Sequence, residues 1–179
     1  MADRPPRIKV VFFPYYSGNP YLDMLFEALE QHAVDAVAGS GPSLPFYVVP
    51  ILHSYLKNPD VDVLHFHWMS PYVHDDSIAS AVVLIPATVV QLVIVKLMGV
   101  KVVWTVHNKI SHESPSPRLE RFTYRLLVRY FFDEVIVHCE SAKTEIVELY
   151  GIRDPQRHQI SVIPHGHYRG EYPDTVTKS

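Results

Sequence analysis

The sequence predicts an α/β fold: a single doubly wound parallel sheet of about six strands with helices on both faces. Short β-branched and aromatic runs recur along the whole chain. Segments long enough for helical crossovers separate them, and only parallel strands need such crossovers. The runs are apolar at nearly every position, as in strands covered on both sides.

Ile8 to Phe13 is the first strand, ended by Pro14. Asn19-Pro20 opens a helix through about Val37, with Pro20 in its first turn and Leu22, Leu25, Phe26 and Leu29 at helical spacing. Phe46 to Val49 reads as the second strand, Ile51 to Lys57 as a short helix, and Val61 to His67 as the third strand. A long apolar helix follows and ends at Gly99. Lys101 to Val106 is the fourth strand, Pro117 to Phe132 a helix, and Glu134 to His138 the fifth strand. Ser141 reads as the cap of a helix that runs to Tyr150 and stops at Gly151. Ile160 to Ile163 is the sixth strand. This order is Rossmann-like.

The 179 residues suit one domain, and a chain of this size buries enough surface to fold without staples. Residues 1–7 read as a flexible N-terminus, 8–168 as the Rossmann-like domain, and 169–179 as a tail or the start of a linker. A 47% hydrophobic, 20% charged composition excludes disorder. One cysteine, Cys139, excludes a disulfide framework and fits a reducing compartment. The net charge of −3 gives no reason to expect nucleic acid. The polar start, with Pro5-Pro6, has no apolar signal core, so a cytoplasmic location is expected. Ser77 to Val95 carries no charge and is long enough to span a bilayer. Pro86, Gln91 and the strands on both sides favour a bent or broken helix buried on the sheet.

Ligands of an open parallel sheet bind outside the carboxyl ends of its strands. There the sequence places Tyr15 to Pro20, His65 to Trp68, His107-Asn108 with Ser111, His112 and Glu113, His138 to Ser141, and Pro164 to Tyr168. Much of the histidine thus collects on one edge. The first loop has a lone Gly18 and lacks a dinucleotide fingerprint. It still runs into a helix N-terminus that favours an anion, so Ser17, Gly18 and Asn19 are either phosphate contacts or an ordinary capped turn. Ala38 to Pro42 reads as a plain loop. His65, His67, His107, His138 and His167 also allow a metal reading. Alternating strand positions point to opposite faces, and no carboxylate has matching spacing, so no metal is expected.

Three segments together resemble a known family: Asp62-Val63-Leu64-His65-Phe66-His67-Trp68, Gly99 to Thr105-Val106-His107-Asn108, and Ile160-Ser161-Val162-Ile163-Pro164-His165-Gly166. They are similar, in this order, to the N-terminal domain of GT-B glycosyltransferases, family-four-like and xanthan-type glucuronosyltransferase-like. The resemblance implies two Rossmann-like domains across a cleft, the N-terminal one binding the acceptor and the C-terminal one the nucleotide-sugar donor. It implies that His107 faces the transferred sugar, that Ser17, Gly18 and Asn19 approach the donor diphosphate, and that Pro164-His165-Gly166 leads into the interdomain linker. The expected function is the acceptor-binding half of a transferase that moves a sugar to a glycan or lipid-linked acceptor. The donor-binding domain then lies in a C-terminal region or a partner chain. A non-catalytic binding module and a histidine-based metal hydrolase are the alternatives.

Transfer from a nucleotide sugar develops positive charge at the anomeric carbon and negative charge on the leaving phosphate, which placed donors stabilise. No cofactor is expected, only the nucleotide sugar as co-substrate. An inverting enzyme needs a base for the acceptor hydroxyl, and Asp75, Asp76 and Glu113 are candidates beside His107. His165 and Gly166 join Ser17, Gly18 and Asn19 on the donor side. Tyr16, His67, Trp68, Asn108 and His138 are the acceptor-binding candidates. Arg118, Arg121, Arg125 and Arg129 form one helical stripe, either a solvated face or a contact for anionic lipid. Peripheral contact with the inner membrane face is expected on that second reading.

Overall fold

The computed structural model describes residues 7–41, 47–74, 77–111, 114–152 and 159–166. The strands are β1 (Ile8–Phe13), β2 (Val34–Ala38), β3 (Val63–Phe66), β4 (Lys101–Thr105), β5 (Glu134–Val137) and β6 (Gln159–Val162). The helices are α1 (Pro20–Gln31), α2 (Pro50–Lys57), the single turn α3 (Ser70–Val73), α4 (Ile78–Leu97), α5 (Pro117–Tyr130) and α6 (Glu140–Tyr150). The strands pair in parallel in the order β2-β1-β3-β4-β5-β6. From β1 the chain steps outward to β2, then returns to β3 on the other side of β1. The switch point of this Rossmann-like α/β sheet is therefore between β1 and β3, where a ligand crevice opens.

Several elements differ from the sequence expectation. The first helix stops at Gln31, and Val34–Ala38 is an edge strand against β1. His32 closes the helix and Ala33 turns the chain at φ 59°, without the glycine that usually announces such a turn. Pairing with β1 overrides the helical propensity of Asp35-Ala36-Val37-Ala38. The expected strand at Phe46–Val49 is absent: Tyr47 and Val48 form a turn, Val49 precedes α2, and Phe46 lies outside the described residues. The last helix also begins earlier than expected. Cys139 is its N-cap and Ser141 stands inside the first turn, while Gly151 ends it at φ 62° as expected.

Alternation along each strand sorts the core. Val11, Phe13, Leu64, Phe66, Val102, Trp104, Val135 and Val137 join residues of α2, α4, α5 and α6 in one buried cluster. Phe12, on the other side of β1, packs its ring on Phe26 of α1 at 4.8 Å. Helices therefore cover both faces, with α2, α4, α5 and α6 on one and α1 on the other.

The apolar α4 is continuous through Pro86, neither broken nor capped midway. Among the described residues it is the one helix long and apolar enough to cross a membrane. Yet β3 and β4, on either side of it, pair directly, so α4 lies on the sheet rather than between its halves. Gln91 explains its own presence in that apolar helix. Its Oε1 accepts from the Ile51 and Leu52 N–H groups at 3.0 Å, and its Nε2 donates to the Val48 and Ala87 carbonyls. The free N–H groups at the start of α2 are thus satisfied by a neighbouring helix.

Candidate active site

Backbone bonds carry the sheet ladder one residue past the strands. His67 N–H donates to Phe13 O at 2.7 Å, Val106 N–H to Ile136 O and Ile163 N–H to Val137 O, both at 2.8 Å. These bonds fix the starts of the loops that carry the histidines. β3 ends at Phe66, which frees His67 from strict alternation. Its ring stacks beside that of His65, centroids 4.4 Å apart. His65 Nε2 and Thr105 Oγ1 share a hydrogen bond of 2.8 Å, and His67 Nδ1 and His107 Nε2 share one of 3.1 Å. Trp68 stacks flat on His107 at 4.9 Å. His107 continues to His138 at 5.2 Å, and His138 to His165 at 4.9 Å.

Burial, with mutual repulsion among neighbouring rings, keeps His65, His67 and His107 neutral. Burial and His107 hold His65 at about 3, and burial with His65, His107 and His138 holds His67 at about 2. Burial, then His138 and His165, hold His107 at about 4. At neutral pH these imidazoles are hydrogen-bond donors and lone-pair acceptors, not cations. His67 Nε2 and His138 Nε2 are buried without a hydrogen-bond partner among the described residues. An orphaned buried nitrogen of this kind takes its partner from an ordered water, an ion or a ligand.

His67, Trp68, Asn108, Ser111 and Tyr124 line a small pocket of about 20 Å³, room for a water-sized group. The loop behind it is pinned from below. Glu120, 2% exposed, accepts from Ser111 N–H at 2.9 Å and stands 3.5 Å from His74 Nε2. Tyr150 donates its hydroxyl to the Lys109 carbonyl. Burial, then the Glu120 carboxylate, hold the Tyr124 phenol protonated.

The family model described as Glycosyltransferase Family 4 matches residues 7–167. The chain belongs to this family. No curated protein matches it.

In this family-4 domain the predicted acceptor residues gather as one group. His67, Trp68 and Asn108 share the pocket, Tyr16 packs on Trp68 at 5.6 Å, and His138 adjoins His107. His165, predicted for the donor side, closes the row of rings, with Gly166 accepting from its Nδ1 at 2.8 Å. Gly18 takes the left-handed conformation at φ 78°, and Asn19 caps α1 by accepting from Tyr21 N–H at 3.1 Å. Ser17-Gly18-Asn19 thus form a turn that leads into the capped N-terminus of α1. Asp75, Asp76, His112, Glu113 and His167 lie outside the described residues.

Sequence reasoning missed Tyr21, whose ring stands 4.9 Å from both His107 and His165. Its signal was its place one residue after the Asn19-Pro20 helix start, at the sheet's carboxyl edge. Glu120 was also missed, because one carboxylate in an arginine-rich helix gives no hint that it is buried. Gly39, expected in a plain loop, has a packing role. A Cβ there would stand 2.5 Å from the Phe13 ring and 2.7 Å from Phe12 O, so β2 reaches β1 only because this residue is glycine. Two of the four stripe arginines bond within the domain. Arg121 Nε and Arg125 Nη2 donate to Leu149 O at the C-terminus of α6.

Proposed function

We propose that this domain is the acceptor side of a GT-B glycosyltransferase of the xanthan-type, glucuronosyltransferase-like kind. It receives a glycan or lipid-linked acceptor and helps move a sugar onto it from a nucleotide sugar, in polysaccharide assembly at the cytoplasmic side of a membrane. The observation that carries this reading is the row of histidines and aromatic rings that runs from the carboxyl end of β3, beside the β1/β3 switch point, along the carboxyl ends of β4, β5 and β6, with His67, Trp68 and Asn108 around one pocket. Flat aromatic faces suit the apolar faces of sugar rings, and neutral imidazoles suit hydroxyl groups.

In the reaction, the acceptor oxygen bonds to the anomeric carbon as that carbon's bond to the diphosphate oxygen breaks. The acceptor proton passes to a base, for which Asp75, Asp76 and Glu113 remain the candidates, and the diphosphate leaves with the electron pair. His107 donates to a hydroxyl of the sugar in flight. Ser17, Gly18 and Asn19, at the start of α1, approach the diphosphate, with His165 and Gly166 beside them. The step uses no metal. A second Rossmann-like domain, following in the chain or separate, grips the donor nucleotide.

An exposed apolar stripe on α4 supports peripheral membrane contact. Val82 is 68% exposed and Leu97 82%, with Val83, Val90 and Val93 between them. Arg118 and Arg129 are exposed on α5, whose one carboxylate, Glu120, is buried. The test is transfer of labelled sugar to a lipid-pyrophosphate acceptor by this chain with a donor-binding domain supplied. Trp68→Ala is expected to raise the acceptor KM about tenfold, roughly one lost stacking contact. Transfer indifferent to Trp68→Ala and His107→Ala would sink the proposal.

A further inference from the structure

The geometry points to a capacity of this edge beyond sugar transfer: His107, His138 and His165 form a three-imidazole site for a zinc-class transition-metal ion. One ring nitrogen from each lies within 4.8 Å of the corresponding nitrogen of the other two. A tetrahedral zinc holds its histidine nitrogens roughly 3.4 Å apart, so small side-chain rotations close the set.

The contacts behind the rings separate this trio from a chance cluster. His138 Nδ1 donates to the Ile163 carbonyl at 2.9 Å, and His165 Nδ1 to the Gly166 carbonyl at 2.8 Å. Each donation leaves that ring's lone pair on Nε2. His107 Nε2 meets His67 Nδ1 at 3.1 Å: with the shared proton on His107 its Nδ1 lone pair is open to a metal, whereas the opposite tautomer, with the proton on His67, leaves Nδ1–H to donate to a sugar hydroxyl. A metal-ligating imidazole almost always donates its other N–H in this way, to a carbonyl or another fixed acceptor. His138 Nε2 is also buried without a hydrogen-bond partner among the described residues, a cost that a metal bond removes.

The donor set selects the ion. Three imidazole nitrogens with an open fourth position suit zinc, and the group contains no carboxylate for magnesium or calcium. The sequence grouping of His65, His67 and His167 with this pair differs from what the fold assembles. His65 is bonded to Thr105, and His165 takes the third place.

The experiment titrates Zn²⁺ into the full chain after chelator treatment, by calorimetry. One ion per chain is expected. His165→Ala, at an exposed position past β6, and His138→Ala each weaken binding by more than ~100-fold, beyond the loss that follows removal of an outer contact. His32→Ala, at the far end of α1, leaves binding unchanged. Co²⁺ in place of Zn²⁺ gives the visible absorption of a tetrahedral site, lost in His165→Ala. If His138→Ala fails to fold, His165→Ala decides alone. Binding that survives His165→Ala, or that falls equally with His32→Ala, assigns the ion to others of the eleven histidines and overturns the site, as does the absence of saturable binding. No donor, acceptor or partner domain enters this measurement, so its failure leaves the transferase proposal standing, and the reverse holds too.

Discussion

The two edges of the sheet are built from opposite chemistry. At the amino edge the groups are charged and matched. Lys9 Nζ meets Asp60 at 3.0 Å and Asp35 at 3.8 Å, and Lys9 N–H donates to Asp62 at 2.8 Å. Asp133 accepts from Lys96, Lys101 and the Val102 N–H. At the carboxyl edge a row of imidazole and aromatic rings is only partly matched. Histidines lean on one another, and His67 and His138 keep orphaned buried nitrogens. Saturated groups hold a structure, whereas unsatisfied ones take a partner from water, an ion or a ligand. The contrast by itself points to the carboxyl end of the sheet as the functional one.

Acid breaks the contrast most strongly, because it charges the carboxyl edge. The folded pKa values of His65, His67 and His107, about 3, 2 and 4, lie below the ordinary 6.5. The unfolded chain therefore binds protons first, and stability falls as pH drops below 6.5. Above 6.5 their contribution is complete. Between 6.5 and about 4, the buried His65 and His67 therefore cost the most stability as pH falls, and the more open His107 costs less. Urea midpoints at pH 7, 6 and 5, with chelator present, should fall steeply. A flat profile would mean that these rings are solvated.

His107→Ala is the next largest effect, and it acts on turnover. The ring stacks on Trp68 and stands in the middle of the row. Removing one placed donor from a charge-developing site lowers kcat about 10²–10³-fold. The measurement is transfer with a donor-binding domain present, and the acceptor KM should stay near the parent value. A rise in KM at constant kcat would instead make His107 a simple binding contact.

Much of this edge was legible in the sequence, for a physical reason. Strand ends in a parallel sheet all arrive on the same side, so His67, Trp68, His107, Asn108, His138 and His165 were brought to one edge by element order alone. Pairwise contacts were not legible. That His65 bonds Thr105, or that Tyr21 sits among the rings, depends on register and on the exit angle of α1, which no spacing encodes. The fold failed to read at β2 for a similar reason. Val34–Ala38 carries helix-compatible residues, and its strand exists because β1 offers it an edge. The amino edge was invisible altogether, since Asp133 and Lys96 are unremarkable until the fold brings them to 2.6 Å.

Asp133→Ala tests that edge. Burial alone would raise this carboxyl's pKa. The Lys96, Val102 and Lys101 hydrogen bonds outweigh burial and hold it below the usual carboxylate range. Its loss leaves the Val102 N–H and two ammonium groups without their acceptor. The expected cost is about 2 kcal/mol, below that of a fully buried pair because solvent reaches the site. Denaturant unfolding measures it, and zinc binding and transfer should be untouched. A loss of transfer in a folded Asp133→Ala chain would erase the separation between the edges.

The smallest effect sharpens the same point within the amino edge. Lys9→Ala removes the ion pairs to Asp60 and Asp35 but keeps the Lys9 N–H bond to Asp62, which belongs to the backbone. Asp60 is open to water, its side chain 70% exposed, so the pair gains little over hydration and is screened by salt. Ordering a long lysine side chain offsets what remains. The unfolding midpoint of Lys9→Ala should match the parent at about 0.5 M salt, where screening is strong, and differ barely at low salt. A clear loss at high salt would show that the lysine stem, packed over the start of β1, stabilises by burial rather than by charge. The amino edge would then rest on Asp133 and on apolar contact, with ion pairs as its solvated fringe.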